Sequence, residues 1–184
     1  MTDFKQPSIE GLEVIQPKIF DDTRGYFCET FNQSLFNALI GDDQYRFVQD
    51  NQSFSHKGVL RGLHYQVNQV QGKLVRAISG EIFDVAVDLR KSSKTFGQWF
   101  GITLSHLNLL QLWIPPGFAH GFVVISTQAE VLYKATNFWS PEDERSIQWN
   151  DADLSIEWPI NHSEVIISSK DNDAATFQDS EYFL

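Results

Sequence analysis

The sequence predicts a mainly β fold, a sandwich or barrel of short strands with one clear short helix. Three observations carry that expectation. From residue 47 onward, apolar and polar side chains alternate in short runs broken by Gly, Pro, Asn and Ser. Only residues 32–41 space their apolar residues as a helix does. Fifteen phenylalanines and five tryptophans suit pleated sheets more than a helical bundle.

In chain order, residues 9–15 alternate loosely and predict a first strand, with Pro17 as punctuation. Asp21-Asp22-Thr23-Arg24-Gly25 is a turn by composition. Residues 26–31 predict a strand that sets Glu29 on one face with Phe27 and Phe31. A carboxylate buried there unpaired is costly, so Glu29 is expected to look into a polar cavity or to pair with Arg24. In the helix of residues 32–41, Asn32 is the expected cap, Leu35, Phe36, Leu39 and Ile40 a packing stripe, and Gly41 the stop. Residues 47–53 start the β region.

Residues 73–78 and 81–89 read as a hairpin through Ser79-Gly80. Residues 98–104 and 109–114 are two more strands, joined by Ser105-His106-Leu107-Asn108. Residues 115–121 form a corner ahead of the apolar strand 122–125, and residues 130–137 form another strand. The charged loop Ser140-Pro141-Glu142-Asp143-Glu144-Arg145 follows. Trp149 and Trp158 are expected to cover one end of the core, and residues 165–171 to form a last strand. No linker or repeat interrupts this pattern, so residues 1–184 are expected to form one domain.

Composition narrows the function classes. A net charge of −10 argues against general nucleic-acid binding, which draws most of its affinity from a basic surface. A phosphorylated small molecule remains compatible, because a local arginine can act against an acidic background. No apolar run approaches the roughly 20 residues of a membrane span. The opening Met1-Thr2-Asp3-Phe4-Lys5-Gln6 lacks a signal peptide's apolar segment, and the lone Cys28 suits a reducing compartment, so a cytoplasmic protein is expected.

The candidate chemistry centres on Gly58-Val59-Leu60-Arg61-Gly62-Leu63-His64-Tyr65-Gln66. Alternation puts Leu63 and Tyr65 on one face and His64 and Gln66 on the other. If Leu63 enters the core, His64 faces the opposite space as a strand-mounted base. A structural histidine is the bland alternative. A base of this kind works best with a carboxylate on its other nitrogen, and Asp171, Asp84 and Asp88 are all candidates. Lys73 on a neighbouring strand could stabilise an enolate oxygen, and Tyr133 could return a proton. Their bland alternatives are an exposed strand lysine and a core tyrosine. His64 and His120 together suggest a two-histidine metal site, but Lys73 stands where a completing carboxylate would, and a cation there opposes a metal.

Four segments then add up to a family. They are Arg61-Gly62-Leu63-His64-Tyr65-Gln66, Gly72-Lys73-Leu74-Val75-Arg76, Phe83-Asp84-Val85-Ala86-Val87-Asp88-Leu89-Arg90 and Ile114-Pro115-Pro116-Gly117-Phe118-Ala119-His120-Gly121-Phe122. In this order they resemble the dTDP-4-dehydrorhamnose 3,5-epimerase family, from about residue 8 to about residue 175. The resemblance implies a cupin-type antiparallel β-sandwich or barrel, a jelly roll with one or a few short helices. It implies epimerisation at C3 and C5 of dTDP-4-dehydro-6-deoxy-D-glucose, with no metal or redox cofactor.

By the same resemblance His64 is the base and Asp171 its partner, Lys73 holds the enolate oxygen and Tyr133 is the acid. Arg24, Glu29, Gln49, Asn51, Arg61, His120, Glu144 and Lys170 are its substrate contacts. A homodimer with N-terminal strands paired across the interface is implied as well. The chain departs from the family at Asn68, where a proline is usual, at Phe138-Trp139, where tyrosines are, and at Asp151-Ala152 in place of Asp-Pro. A single-site epimerase, a metal-dependent cupin and a non-catalytic sugar-nucleotide binder are the alternatives.

Overall fold

Period-two alternation builds two five-stranded antiparallel sheets and a separate ribbon; the computed structural model describes residues 6–184. The first sheet runs β1 (Glu13–Ile15), β9 (Gln111–Ile114), β6 (Lys73–Ser79), β11 (Gln128–Ala135) and β4 (Gln49–His56). The second runs β12 (Glu144–Ser146), β5 (Leu60–Gln66), β10 (Phe118–Val124), β7 (Glu81–Asp88) and β8 (Trp99–Ser105). The ribbon pairs β2 (Ile19–Asp22) with β3 (Gly25–Cys28). This is the expected jelly-roll sandwich.

One core lies between the sheets, where Val75, Ala77, Leu112 and Val131 of the first meet Ile82, Ala86, Leu104 and Phe122 of the second. A second core lies on the outer face of the second sheet. There Leu63, Tyr65, Val85, Val87 and Val123 pack under Ile147, Trp149, Leu154, Ile156 and Trp158 of the tail. The two tryptophans thus cover the core as expected. Each such buried side chain contributes about 1.5–3 kcal/mol of transfer free energy. The two-sided packing of β5 settles its register: Leu63 and Tyr65 enter the tail core and His64 is left facing the inter-sheet space.

Helix α1 (Gln33–Ile40) has the expected ends. The Asn32 side chain accepts from the Ser34 and Leu35 amides, and Gly41 takes φ +71°. Only part of its stripe packs. Phe36 is buried against Trp113 and Leu74 on the outer face of the first sheet, whereas Leu35 and Leu39 are exposed. The helix leans on the sheet through one edge, so the other half of the stripe overhangs.

Three connections differ from expectation. Residues 73–78 and 81–89 do not form a hairpin, because Gly80 carries the chain from β6 in the first sheet to β7 in the second. A Cβ at Gly80 would lie 2.0 Å from the Gln128 carbonyl oxygen, so only glycine allows so tight a crossing. The corner is shorter than expected: β10 begins at Phe118, which places His120 inside a strand. Residues 165–171 are not a strand either. Ile166 makes a single bridge to Val59, and the chain then forms one helical turn, α2 (Ser169–Asn172), with Ser168 as cap. Ile166 is exposed, so its β-branched neighbours have no sheet to join.

Candidate active site

A cavity of about 260 Å³ opens between the sheets, lined by Arg61, His64, Lys73, His120, Tyr133 and Glu144 together with Ser53, Tyr65, Gln66, Gln71, Phe122 and Trp139. Strand pairing decides which side chains meet there. Lys73 on β6 and Tyr133 on the adjacent β11 project from the first sheet, while His64 on β5 and His120 on β10 project from the second. His64 and His120 are direct cross-strand partners.

Two glycines allow that approach. A Cβ on Gly62 would stand 2.6 Å from the Gly121 Cα and 2.7 Å from the His120 carbonyl oxygen, and one on Gly121 would stand 2.7 Å from the Arg61 carbonyl oxygen. Gly62 also takes φ +118°, which a side chain rarely adopts. The glycines flanking the two histidines in sequence therefore let β5 and β10 run unusually close.

Each histidine has its own aspartate. His64 Nε2 lies 2.5 Å from Asp171 Oδ1, and His120 Nε2 lies 2.8 Å from Asp84 Oδ1. Of the three carboxylates open to His64 in the sequence, Asp171 is its partner. Asp84 serves His120, and Asp88 is held by Arg90, Ser93 and Thr95. Burial pushes the Asp171 carboxyl upward, but hydrogen bonding to His64 and the His64 charge outweigh it, and its pKa is lowered overall. Asp171 therefore stays ionised and holds the imidazole by its Nε2 proton.

Lys73 is buried, and its pKa is lowered to about 8; burial pulls it down while Glu144 and Asp84 oppose. Tyr133 is pushed up, first by burial and then by the Glu144 charge, so its phenol keeps its proton. Glu144 accepts from Lys170 Nζ at 2.5 Å and from Trp139 Nε1 at 3.3 Å. Burial raises the Glu144 pKa, Lys170 lowers it more, and the carboxylate stays charged at the cavity wall.

The remaining expected residues divide. Arg61 lines the cavity and donates to Ser55 Oγ at 3.1 Å. Gln49 and Asn51 share a face of β4 with Ser53, hydrogen-bond each other at 2.9 Å, and lie outside the lining. Gln49 Oε1 accepts the Trp139 amide at 3.0 Å and so sets the aromatic rim. Arg24 and Glu29 do not reach this cavity. Arg24 is exposed and paired with Asp22; Glu29 falls just past the end of β3 and lines an apolar groove with Phe20, Phe31 and Leu35. The expected Glu29–Arg24 pair is not formed, because Arg24 folds back on the nearer carboxylate.

Sequence reasoning passed over Ser53 and Gln71, both in the lining. The signal for Ser53 was the polar inward face of β4, where Gln49, Asn51, Ser53 and Ser55 alternate with outward residues. Among the described residues no three His, Cys, Asp or Glu side chains group closely enough to hold a metal ion. Each histidine is engaged by its own aspartate, and Lys73 stands on the opposite sheet.

An oriented imidazole on one sheet, facing a protonated phenol and an ammonium on the other, can remove a proton from one face of a carbon acid and return it to the opposite face. Together with the cupin-type sandwich, this arrangement fits the isomerase class. The comparisons narrow it. The family model described as dTDP-4-dehydrorhamnose 3,5-epimerase matches residues 6–179. The chain belongs to that family.

It is 54% identical over 176 residues to the dTDP-4-dehydrorhamnose 3,5-epimerase of Pseudomonas aeruginosa, covering 96% of each chain. A solved dTDP-6-deoxy-D-glucose-3,5-epimerase from Legionella pneumophila, in complex with dTDP-4-keto-L-rhamnose, superposes with a TM-score of 0.92 at 50% identity, over 96% of this chain and 93% of that one. The dTDP-4-dehydrorhamnose 3,5-epimerase of Elizabethkingia anophelis does so with a TM-score of 0.92 at 47% identity, over 97% of each.

Proposed function

We propose that this chain epimerises C3 and C5 of dTDP-4-dehydro-6-deoxy-D-glucose to give dTDP-4-dehydro-L-rhamnose, in dTDP-L-rhamnose biosynthesis. The observation that carries this reading is the placement of the His64–Asp171 pair and of Tyr133 on opposite sheets across one cavity. Both reacting carbons flank the C4 ketone, so loss of either proton gives an enolate. His64 takes the proton, with its imidazolium stabilised by Asp171. The Lys73 ammonium holds the developing O4 charge. Tyr133 gives a proton to the other face, which inverts the carbon; water then takes the proton from the His64 imidazolium and returns one to the Tyr133 phenolate, which resets the groups. General acid–base groups so placed each contribute about 10²–10⁴ in rate.

Binding follows from charge. Arg61 is the guanidinium suited to the diphosphate. His120 adjoins the sugar, Glu144 and Lys170 flank the nucleotide, and the exposed Trp139 ring offers a face on which a thymine stacks. We read residues 1–184 as one catalytic domain that acts in the cytoplasm, a reading supported by the free Cys28 and by a charged diphosphate ligand.

Arg24 and Glu29 take part as a second copy's contribution. Their ribbon carries exposed Phe20, Tyr26 and Phe27, an apolar face that suits a homodimer in which the N-terminal strands pair across the interface and bring Gln49 and Asn51 to the completed mouth. Mixing an Arg24→Ala chain with a His64→Ala chain tests this. Restored activity in the mixture is expected if Arg24 acts in the partner's site, and none if it acts within its own chain.

Incubation with the substrate in D₂O tests the reaction. Deuterium at both C3 and C5, abolished in His64→Ala, is the expected result. Deuterium at one carbon identifies a single-site epimerase, and none, with binding shown separately, overturns the assignment.

A further inference from the structure

Asp84 is used by no step above, yet it is the most enclosed charged group beside the cavity. Its side chain is fully buried on β7. Its Oδ1 takes His120 Nε2 at 2.8 Å, while its Oδ2 is buried without a hydrogen-bond partner among the described residues. A buried carboxylate with one vacant oxygen is unfavourable unless a nearby cation compensates it. Burial raises the Asp84 pKa, and the charge and hydrogen bond of His120 oppose it first; the charge of Lys73, buried between the same two sheets, opposes it further.

We propose that Asp84 is a positioning residue that acts through two others: it fixes the His120 imidazole by one oxygen, and by its negative charge it keeps the Lys73 ammonium protonated over the working pH range. The remaining groups facing Lys73 are accounted for. Glu144 from β12 acts in the same sense as Asp84. Arg61 and His64 from β5, His120 from β10 and Tyr133 from β11 complete the charged or titratable lining. Strands β8 and β9 carry no ionisable side chain. Asp88, the other buried acid of β7, is saturated by Arg90, Ser93 and Thr95 at the far end of the strand. Asp84 and Glu144 are therefore the two anions holding the Lys73 proton, and Asp84 is the one shielded from solvent.

Burial lowers the Lys73 pKa to about 8 even with both anions opposing it, so the loss of one anion would bring the ammonium closer to deprotonation at neutral pH. An amine cannot stabilise an enolate oxygen as an ammonium does, so the anion that holds the proton controls how much enzyme is active. The substitution Asp84→Asn separates charge from shape, since the amide oxygen still accepts from His120 Nε2. The expected result is a fall in kcat with KM little changed, and a basic limb of the kcat profile moved down by about one pH unit, the size of shift that one close opposite charge produces. A profile left in place overturns the inference, whatever happens to kcat.

The wild-type protein gives a second measurement that stands even if Asp84→Asn does not fold. The ¹³Cγ resonance of Asp84 is expected to read a carboxylate at pH 7; a carboxylic acid there overturns the inference. The inference rests on the enolate reading, which wild-type exchange in D₂O tests by itself. An exchange-active wild type with an unshifted Asp84→Asn profile therefore removes only the role of Asp84.

Discussion

His64 and His120 stand opposite each other in register on neighbouring strands, yet each turns to a different aspartate. The Asp171 partner arrives on a helical turn from the tail, the Asp84 partner on the next strand of the same sheet. Two chemically alike pairs thus differ in where they sit. His64 keeps 29% of its side chain exposed to the cavity, and His120 only 8%. The His64 pair is therefore the more open to a molecule in the cavity, as the proposed role of base requires.

Replacing Asp171 by Asn removes the charge behind the base while keeping its shape. The amide can present the wrong group to His64 Nε2 and no longer stabilises the imidazolium. We expect kcat to fall by about 10²–10⁴ with KM little altered, read from steady-state rates and from deuterium uptake at C3 and C5.

Tyr133→Phe should separate the two halves of the reaction. Base and oxyanion stabiliser are untouched, so proton removal persists and deuterium still exchanges from the His64 face. Inversion should drop by about 10²–10⁴. Loss of exchange and inversion together would show that Tyr133 does more than donate a proton.

The pH dependence follows from Lys73. In the proposed mechanism its ammonium is the active form, so kcat should decline as pH rises through about 8. Stability moves the other way in the same region. With its pKa depressed on folding from 10.5 to about 8, Lys73 binds fewer protons in the folded than in the unfolded chain between those values, and stability should rise with pH across that window. Asp171 adds the acid side: its lowered pKa contributes stability above its unfolded value, which is lost as pH falls through the folded value. Rate profiles and thermal melts over the same buffers check both signs.

Gly62→Ala sets a methyl against the Gly121 Cα and the His120 carbonyl, at a φ that disfavours any side chain. We expect a loss of roughly 2–4 kcal/mol, seen as a lowered melting temperature. The β5–β10 spacing should open as well, so that activity falls further than the lost stability explains.

Much of this could be read from the chain, and the exceptions share a cause. The alternation at Leu63-His64-Tyr65-Gln66 gave the facing of the base because both faces of β5 have a definite role. The Asn32 and Gly41 caps marked a helix because capping is local. What failed was non-local. A glycine turn between two strands looks the same whether the strands pair or cross to opposite sheets, so Gly80 read as a hairpin. Three aspartates were equivalent partners for His64 because nothing local tells which one the fold brings near. The overhang of Leu35 and Leu39, and the distance of Arg24 and Glu29 from the cavity, depend on how the helix and ribbon lie against the first sheet, which no local pattern encodes.

The separation of His64 from Asp171, 107 residues along the chain, also bears on how the protein is made. Gly80 sends successive strands to opposite sheets, so few of the contacts that shape the cavity are local, and such topologies fold slowly. During translation the base, the lysine and the acid all leave the ribosome before Asp171 does. A nascent chain halted before residue 171 would already carry Ile147, Trp149, Leu154, Ile156 and Trp158, the cover of the face that holds Leu63 and Tyr65, but would leave the imidazole unoriented. Cover of the second sheet therefore precedes orientation of His64, and the carboxylate that orients it is among the last parts of the chain to be made.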